Sequence, residues 1–253
     1  MNMMRFTTMK TKLRKYPSIF LILLLAISSC FLTGCVNQHP KDSKKSSQGE
    51  SVETMLEITD PKEKQAVLNA KAKVKALSGN PRIVATSPAV ADICDKLDLD
   101  LVGVPKSSVS KIPSRYKKVK KVGLAMSPDM EIVSSLNPDW ILAPSSLETD
   151  LKPKFEELKN TEYAFLNLRS VQGMYRSAQE LGEIFGKQQE AEKMTKEFTT
   201  FYKSYTKRNK NKKHPKALVL MGLPGSYVIA TENSYVGSLV KLAGGENVYQ
   251  NTD

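Results

Sequence analysis

Histidine is nearly missing from this 253-residue sequence: His39 and His214 are the only two. A serine hydrolase needs a base beside its nucleophile. Gly225-Ser226-Tyr227 has neither a suitable histidine nor the G-x-S-x-G arrangement of a nucleophile elbow, so no enzyme is expected. Cysteine is scarce as well. Cys30 and Cys35 lie close together near the N-terminus and Cys94 stands apart, so no disulfide framework is expected within one chain. Val90, Ile93, Cys94 and Leu97 fall at helical spacing, which makes Cys94 a small buried apolar residue rather than a nucleophile. The formal charge of +12 would suit an anionic partner, but much of it lies at the N-terminus and in two runs, 115–121 (RYKKVKK) and 203–216 (KSYTKRNKNKKHPK). No nucleic-acid-binding module with stacking aromatics accompanies either run. They read as solvated faces, and no nucleic acid partner is expected.

Acidic residues are absent from residues 1–34, which carry five basic ones; without this segment the formal charge falls from +12 to +7. After the basic leader comes IFLILLLAISSCFL (19–32), an apolar run too short for a comfortable membrane span but suited to a secretory signal. It ends in Leu32-Thr33-Gly34-Cys35, which resembles the lipobox of bacterial lipoproteins. That resemblance implies a diacylglyceryl lipid on Cys35. Cys30 is the poorer match because apolar Phe31 and Leu32 follow it, whereas the polar VNQHPKDSKKSSQGE follows Cys35 and suits a flexible tether. The expected division is a signal peptide over 1–34 and a lipidated, flexible tether over 35–59.

Further along, Asp60-Pro61 opens an amphipathic helix within 60–80, with aspartate as cap, proline at the first helical position and Val67, Ala70, Val74 and Leu77 on one face. From Arg82 short apolar runs alternate with helical segments. RIVAT, DLVGV, WILAP and YAFLNL read as strands, and the segments between and after them, including one over 128–136, read as helices. This pattern predicts an α/β lobe over 81–186 built on a parallel sheet with helices on both faces. Ligands of such sheets sit beyond the carboxyl ends of the strands, which directs attention to Thr86-Ser87, Pro105-Lys106-Ser107 and Ala143-Pro144-Ser145. A stretch free of proline and glycine predicts a long bridging helix over 187–212, and residues 213–253 read as the start of a second α/β lobe, too short for a core of its own.

Four stretches carry a family resemblance: RIVATSPAVADICDKLDLDLVGVP, the VG…SPDMEIVSSLNPDWILA block, the long helix, and HPKALVLMGLPGSYVIATENSYVGSLVKLAGGENV. They resemble the substrate-binding lipoproteins of ABC importers for haem, siderophores and cobalamin, in which two α/β lobes are joined by one rigid helix. With SRYKKVKKVGLAM, the resemblance is strongest to the haem-binding lipoproteins of Gram-positive iron-regulated surface systems, and it covers 81–249. It implies a protein on the extracytoplasmic face of the membrane, held there by lipid, that takes haem from upstream surface haem-binding proteins and delivers it to an ABC permease and its ATPase.

The resemblance also assigns residues. Met126, which from the sequence alone is either core packing or a ligand, becomes an axial iron ligand. Glu131, which from the sequence alone offsets the macrodipole of its helix, becomes a carboxylate that docks on the permease. Thr86, Ser87, Lys106 and Ser107 from the first lobe, with Gly225, Ser226 and Tyr227 from the second, are expected around the porphyrin. The family's second axial ligand is a histidine late in the second lobe. Neither His39 nor His214 occupies that position, so a C-terminally truncated member is expected. A ferric-siderophore binder of the same fold, or a truncated lipoprotein without function, remains an alternative.

Overall fold

The computed structural model describes residues 51–223 and 225–249. The expected signal peptide, Cys35 and most of the tether lie outside them. The end of the tether departs from expectation: α1 (Val52–Leu56) is a short helix capped by Ser51, whose Oγ accepts the Thr54 N–H. Val52 and Leu56, one helical turn apart, are both buried, and that burial is what fixes a segment whose composition reads as flexible. α2 (Pro61–Lys75) follows the sequence reading, with Asp60 accepting the Lys62 N–H and Val67 and Ala70 buried.

The chain then runs through β1 (Ile83–Ala85), α3 (Pro88–Lys96), β2 (Gly103–Val104), β3 (Lys120–Lys121), β4 (Gly123–Leu124), β5 (Ser127–Pro128), α4 (Met130–Ser135), β6 (Trp140–Pro144), α5 (Glu148–Glu156), β7 (Glu162–Leu166), α6 (Val171–Phe185) and α7 (Gln188–Asn209). The central sheet has the order β3-β2-β1-β6-β7, and every pairing in it is parallel. Successive residues of a strand face opposite sides. Ile83, Ala85 and Leu142 accordingly join one apolar cluster, with α3 and α6, while Val84, Ile141 and Ala143 join another, with Val133, Leu151 and Phe155. Burial on both faces is why β1 and β6 read as continuous apolar runs.

Two details differ from the sequence reading. β3 falls inside the first basic run, where Lys120 and Lys121 hide an edge strand; lysine is a common way to protect such an edge. Within that run Tyr116 is buried, and Arg115 lies 2.7 Å from Asp98 and 2.8 Å from Asp100. The helix expected from residue 128 begins at Met130, since Ser127–Pro128 instead pairs antiparallel with Gly123–Leu124. Cys94 is fully buried, and burial pushes its thiol up to about 12. In the native chain at pH 8 it is expected to resist a maleimide and to react after unfolding. Peptide mass mapping checks this, and native labelling of Cys94 would contradict the packing.

α7 spans roughly 33 Å at 1.5 Å per residue. It lies on α6 through the stacked rings of Tyr175 and Phe198, 4.5 Å apart, and Phe198 stacks in turn on Tyr202 of α7 itself at 5.7 Å. Beyond it come β8 (Lys216–Ala217), β9 (Leu220–Leu223), β10 (Ser226–Ile229), α8 (Tyr235–Leu242) and β11 (Glu246–Asn247). β8 pairs parallel with β11, and β9 forms an antiparallel hairpin with β10. Among the described residues, hydrogen bonds that tie these elements back to the rest include Tyr205 Oη to the Ala243 carbonyl at 2.8 Å and the Val171 N–H to Ser238 Oγ at 3.3 Å. Leu220, Met221, Tyr227, Val228, Val236 and Leu239 are all exposed, an apolar surface with no counterpart in the central sheet, whose strands are covered on both faces.

Candidate ligand site

The carboxyl ends of β2 and β3 lead into one piece of structure. Val122, the residue after β3, donates its N–H to Val104 and accepts the Asp129 N–H at 2.7 Å, which closes the β4–β5 hairpin. The Lys106 N–H donates to the Gly123 carbonyl at 2.6 Å, so the loop leaving β2 is fastened to the same hairpin. Leu124 pairs with Ser127, which leaves Ala125 and Met126 as the two turn residues. Met126 is 73% exposed. Packing therefore does not explain it; the hairpin carries a thioether outward at the end of the sheet where ligands of this architecture bind.

Gly123 makes that hairpin possible. Its φ is +96°, and a Cβ there would lie 2.9 Å from the Asp129 nitrogen and 3.1 Å from the Ser127 oxygen. Gly123→Ala is expected to cost about 1–3 kcal/mol, from backbone strain and close contact with neighbouring main chain. A lower urea midpoint at unchanged m-value checks this, and an unchanged midpoint would show that the hairpin yields.

The remaining candidates are distributed unevenly. Lys106 is exposed, and Ser107 is half-buried with its Oγ accepting the Ser110 N–H. Thr86 requires a correction: it is fully buried and its hydroxyl donates to the Leu142 carbonyl at 3.3 Å, so it builds the sheet rather than offering a contact. Ser87 is nearly as buried, and its Oγ caps α3 by accepting the Val90 N–H. Glu131 is exposed in the first turn of α4, where Asp129 Oδ1 accepts the N–H groups of both Glu131 and Ile132. Gly225, with φ of +78°, leads into β10, and Ser226 and Tyr227 are exposed there. Among the described residues no hydrogen bond or ion pair joins these three to the Met126 hairpin. His214 is exposed, with its Nδ1 2.6 Å from the Gly244 carbonyl.

A cleft of about 520 Å³ lies elsewhere, lined by Glu53, Leu56, Gln179 and Thr195 among others. It is formed by α1 against α6 and α7, so the strand ends remain the better candidate. One buried polar cluster gave no signal in the sequence. Glu180 of α6 is 1% exposed, with Oε1 unpartnered among the described residues, and Arg176 one turn earlier reaches the Met55 carbonyl at 2.6 Å. Burial first, and then the neighbouring Glu63 carboxyl, push Glu180 up to about 9. Among the described residues, no cluster of three or more His, Cys, Asp or Glu side chains could hold a metal ion, and no helix is long and apolar enough to cross a membrane.

The sequence pattern of the periplasmic binding proteins matches residues 83–253, which take in the whole central sheet, the bridging helix α7 and the second-lobe elements β8 to β11. The chain belongs to the periplasmic binding protein family. This is an extracytoplasmic family of substrate-binding proteins of ABC importers, not of enzymes. The chain is 41% identical over 177 residues to the high-affinity heme uptake system protein IsdE of Staphylococcus aureus strain Newman, a match covering 70% of this chain and 60% of that protein. It thus spans about 60% of the length of the curated relatives it matches. Among solved structures, an ABC transporter substrate-binding protein from Listeria monocytogenes EGD-e is 45% identical with a TM-score of 0.65, covering 69% of this chain and 67% of that one. S. aureus IsdE complexed with heme is 40% identical with a TM-score of 0.64, again over 69% and 67%. α2 lies outside the matched residues.

Proposed function

We propose that this periplasmic binding protein binds haem at the carboxyl end of its sheet and delivers it to an ABC permease, with Met126 Sδ as one axial ligand of the iron. The observation that carries the reading is the 73% exposure of Met126 at a hairpin tip. A thioether is a neutral, soft donor suited to haem iron, and thioether ligation raises the iron's reduction potential. Lys106, on the loop fastened to that hairpin, supplies a cation for a haem propionate, and Ser107 a hydrogen-bonding hydroxyl. Gly225, Ser226 and Tyr227 contribute from the second lobe, Tyr227 through its exposed ring. Glu131 is the carboxylate offered to the permease. The 40% identity to a protein solved with heme supports haem over a ferric siderophore.

In the same reading Cys35 carries a diacylglyceryl lipid that holds the protein at the membrane, within reach of upstream surface haem-binding proteins. Cys35→Ala is expected to leave the chain unprocessed or free of membranes in a fractionation experiment. Normal acylation of that variant would move the lipid site to Cys30.

The reading is tested by titrating residues 36–253 with haem, followed by visible absorption, beside a ferric hydroxamate siderophore. Saturable haem binding with no siderophore binding is expected. Because the charged runs are not the ligand contacts, haem affinity should change little with added salt. Siderophore binding alone would overturn the assignment.

A further inference from the structure

After Glu197 no acidic residue occurs until Glu232, and the interval holds Lys203, Lys207, Arg208, Lys210, Lys212, Lys213 and Lys216. All seven are exposed. Lys203 pairs with Glu53, but the other six have no ion-pair partner among the described residues. They cluster at the C-terminal end of α7 and in the loop after it. Two or three cations there would be ordinary compensation of the helix dipole; six exceed that need. The same surface carries an apolar group. Phe201 is 60% exposed, stacks on Tyr205 with ring centroids 6.1 Å apart, and shares a helix face with Arg208 two turns on.

We propose that the end of α7 and the segment 210–216, the loop after it and the start of β8, form a docking surface for an anionic phospholipid membrane, with Phe201 entering the headgroup layer. The argument is charge complementarity. An anionic leaflet attracts a nearby basic segment over about a Debye length, each lysine or arginine adding to the attraction without needing a specific partner. Lysine predominates here, and a flexible, strongly hydrated point charge suits such a diffuse field better than bidentate recognition of a folded partner. One exposed aromatic beside a cationic stretch is the composition of surfaces that lie in the interface. The contact is separate from any N-terminal lipid and would set which side of the protein faces the bilayer. It does not involve Met126, so its failure leaves the haem reading untouched.

The test uses the full chain carrying Phe201→Trp in vesicles of equimolar phosphatidylglycerol and phosphatidylcholine, with brominated lipid as quencher. The native Trp140 is buried, and its emission is subtracted using the unsubstituted chain. Quenching of the new indole is expected in these vesicles. It should be lost in pure phosphatidylcholine, and lost in about 1 M salt, where the Debye length falls to about 3 Å. It should also be lost when Lys207, Arg208, Lys210 and Lys213 are all changed to Gln, exposed positions at which the fold is retained. Equal quenching in the two lipid mixtures, or none in either, would overturn the proposal. So would binding of soluble polyphosphate by the native surface without quenching in the anionic vesicles.

Discussion

Met126→Ala is expected to weaken haem binding about tenfold or more, corresponding to about 1.4 kcal/mol, and to change the visible spectrum of the bound haem. It should leave the melting temperature almost unchanged. The two effects separate because of where the side chain sits. At 73% exposure Met126 contributes little to the core, and substitutions at such positions usually change stability by no more than about 0.5 kcal/mol. A sulfur bonded to iron, by contrast, has no replacement in alanine. Leu124→Ala is the control, since Leu124 is on the same hairpin at 58% exposure and has no donor atom. It should leave the spectrum alone. Equal affinity and an identical spectrum in Met126→Ala would remove Met126 from the iron.

The second large effect concerns Glu180. Burial beneath α1 and α2, with Glu63 nearby, holds its proton up to about pH 9, well above the usual carboxylate range. A carboxyl whose folded pKa is raised contributes stability that is fully present below the unfolded value and is lost as pH rises through the folded one. The melting temperature should therefore fall between about pH 5 and pH 9, and Glu180→Gln should flatten that part of the profile and stabilise the protein at its alkaline end. Arg176 moderates the effect but does not reverse it, because burial is the larger cause. A wild-type slope retained in the Gln variant would show that other groups titrate.

Much of the fold was legible wherever burial writes itself into hydrophobicity. β1, β6 and β7 are apolar runs because helices cover both faces of the sheet, and α2 announced itself through Asp60 and Pro61. β3 was hidden because an edge strand with lysines on it looks like a charge run, and α1 because two buried residues in a polar stretch carry no periodicity. At the site, the strand-end rule pointed to Lys106 and Ser107, which are accessible, but also drew in Thr86, whose hydroxyl serves the sheet; nothing in a Thr-Ser pair distinguishes a structural hydroxyl from a free one. Glu180 was invisible for a related reason. A glutamate on a helix is normally a solvated residue, and only the docking of α1 and α2 onto α6 turns it into a buried acid.

Met126 could not be assigned from its spacing, since methionine fills cores far more often than it ligates metals. The family resemblance suggested a ligand, and its exposure at the hairpin tip excludes packing. The decisive measurement is X-ray absorption at the iron edge of the haem-loaded protein. A sulfur neighbour in the iron's first shell, present in the native chain and absent in Met126→Ala, is the expected result. A first shell of nitrogen and oxygen alone would contradict it.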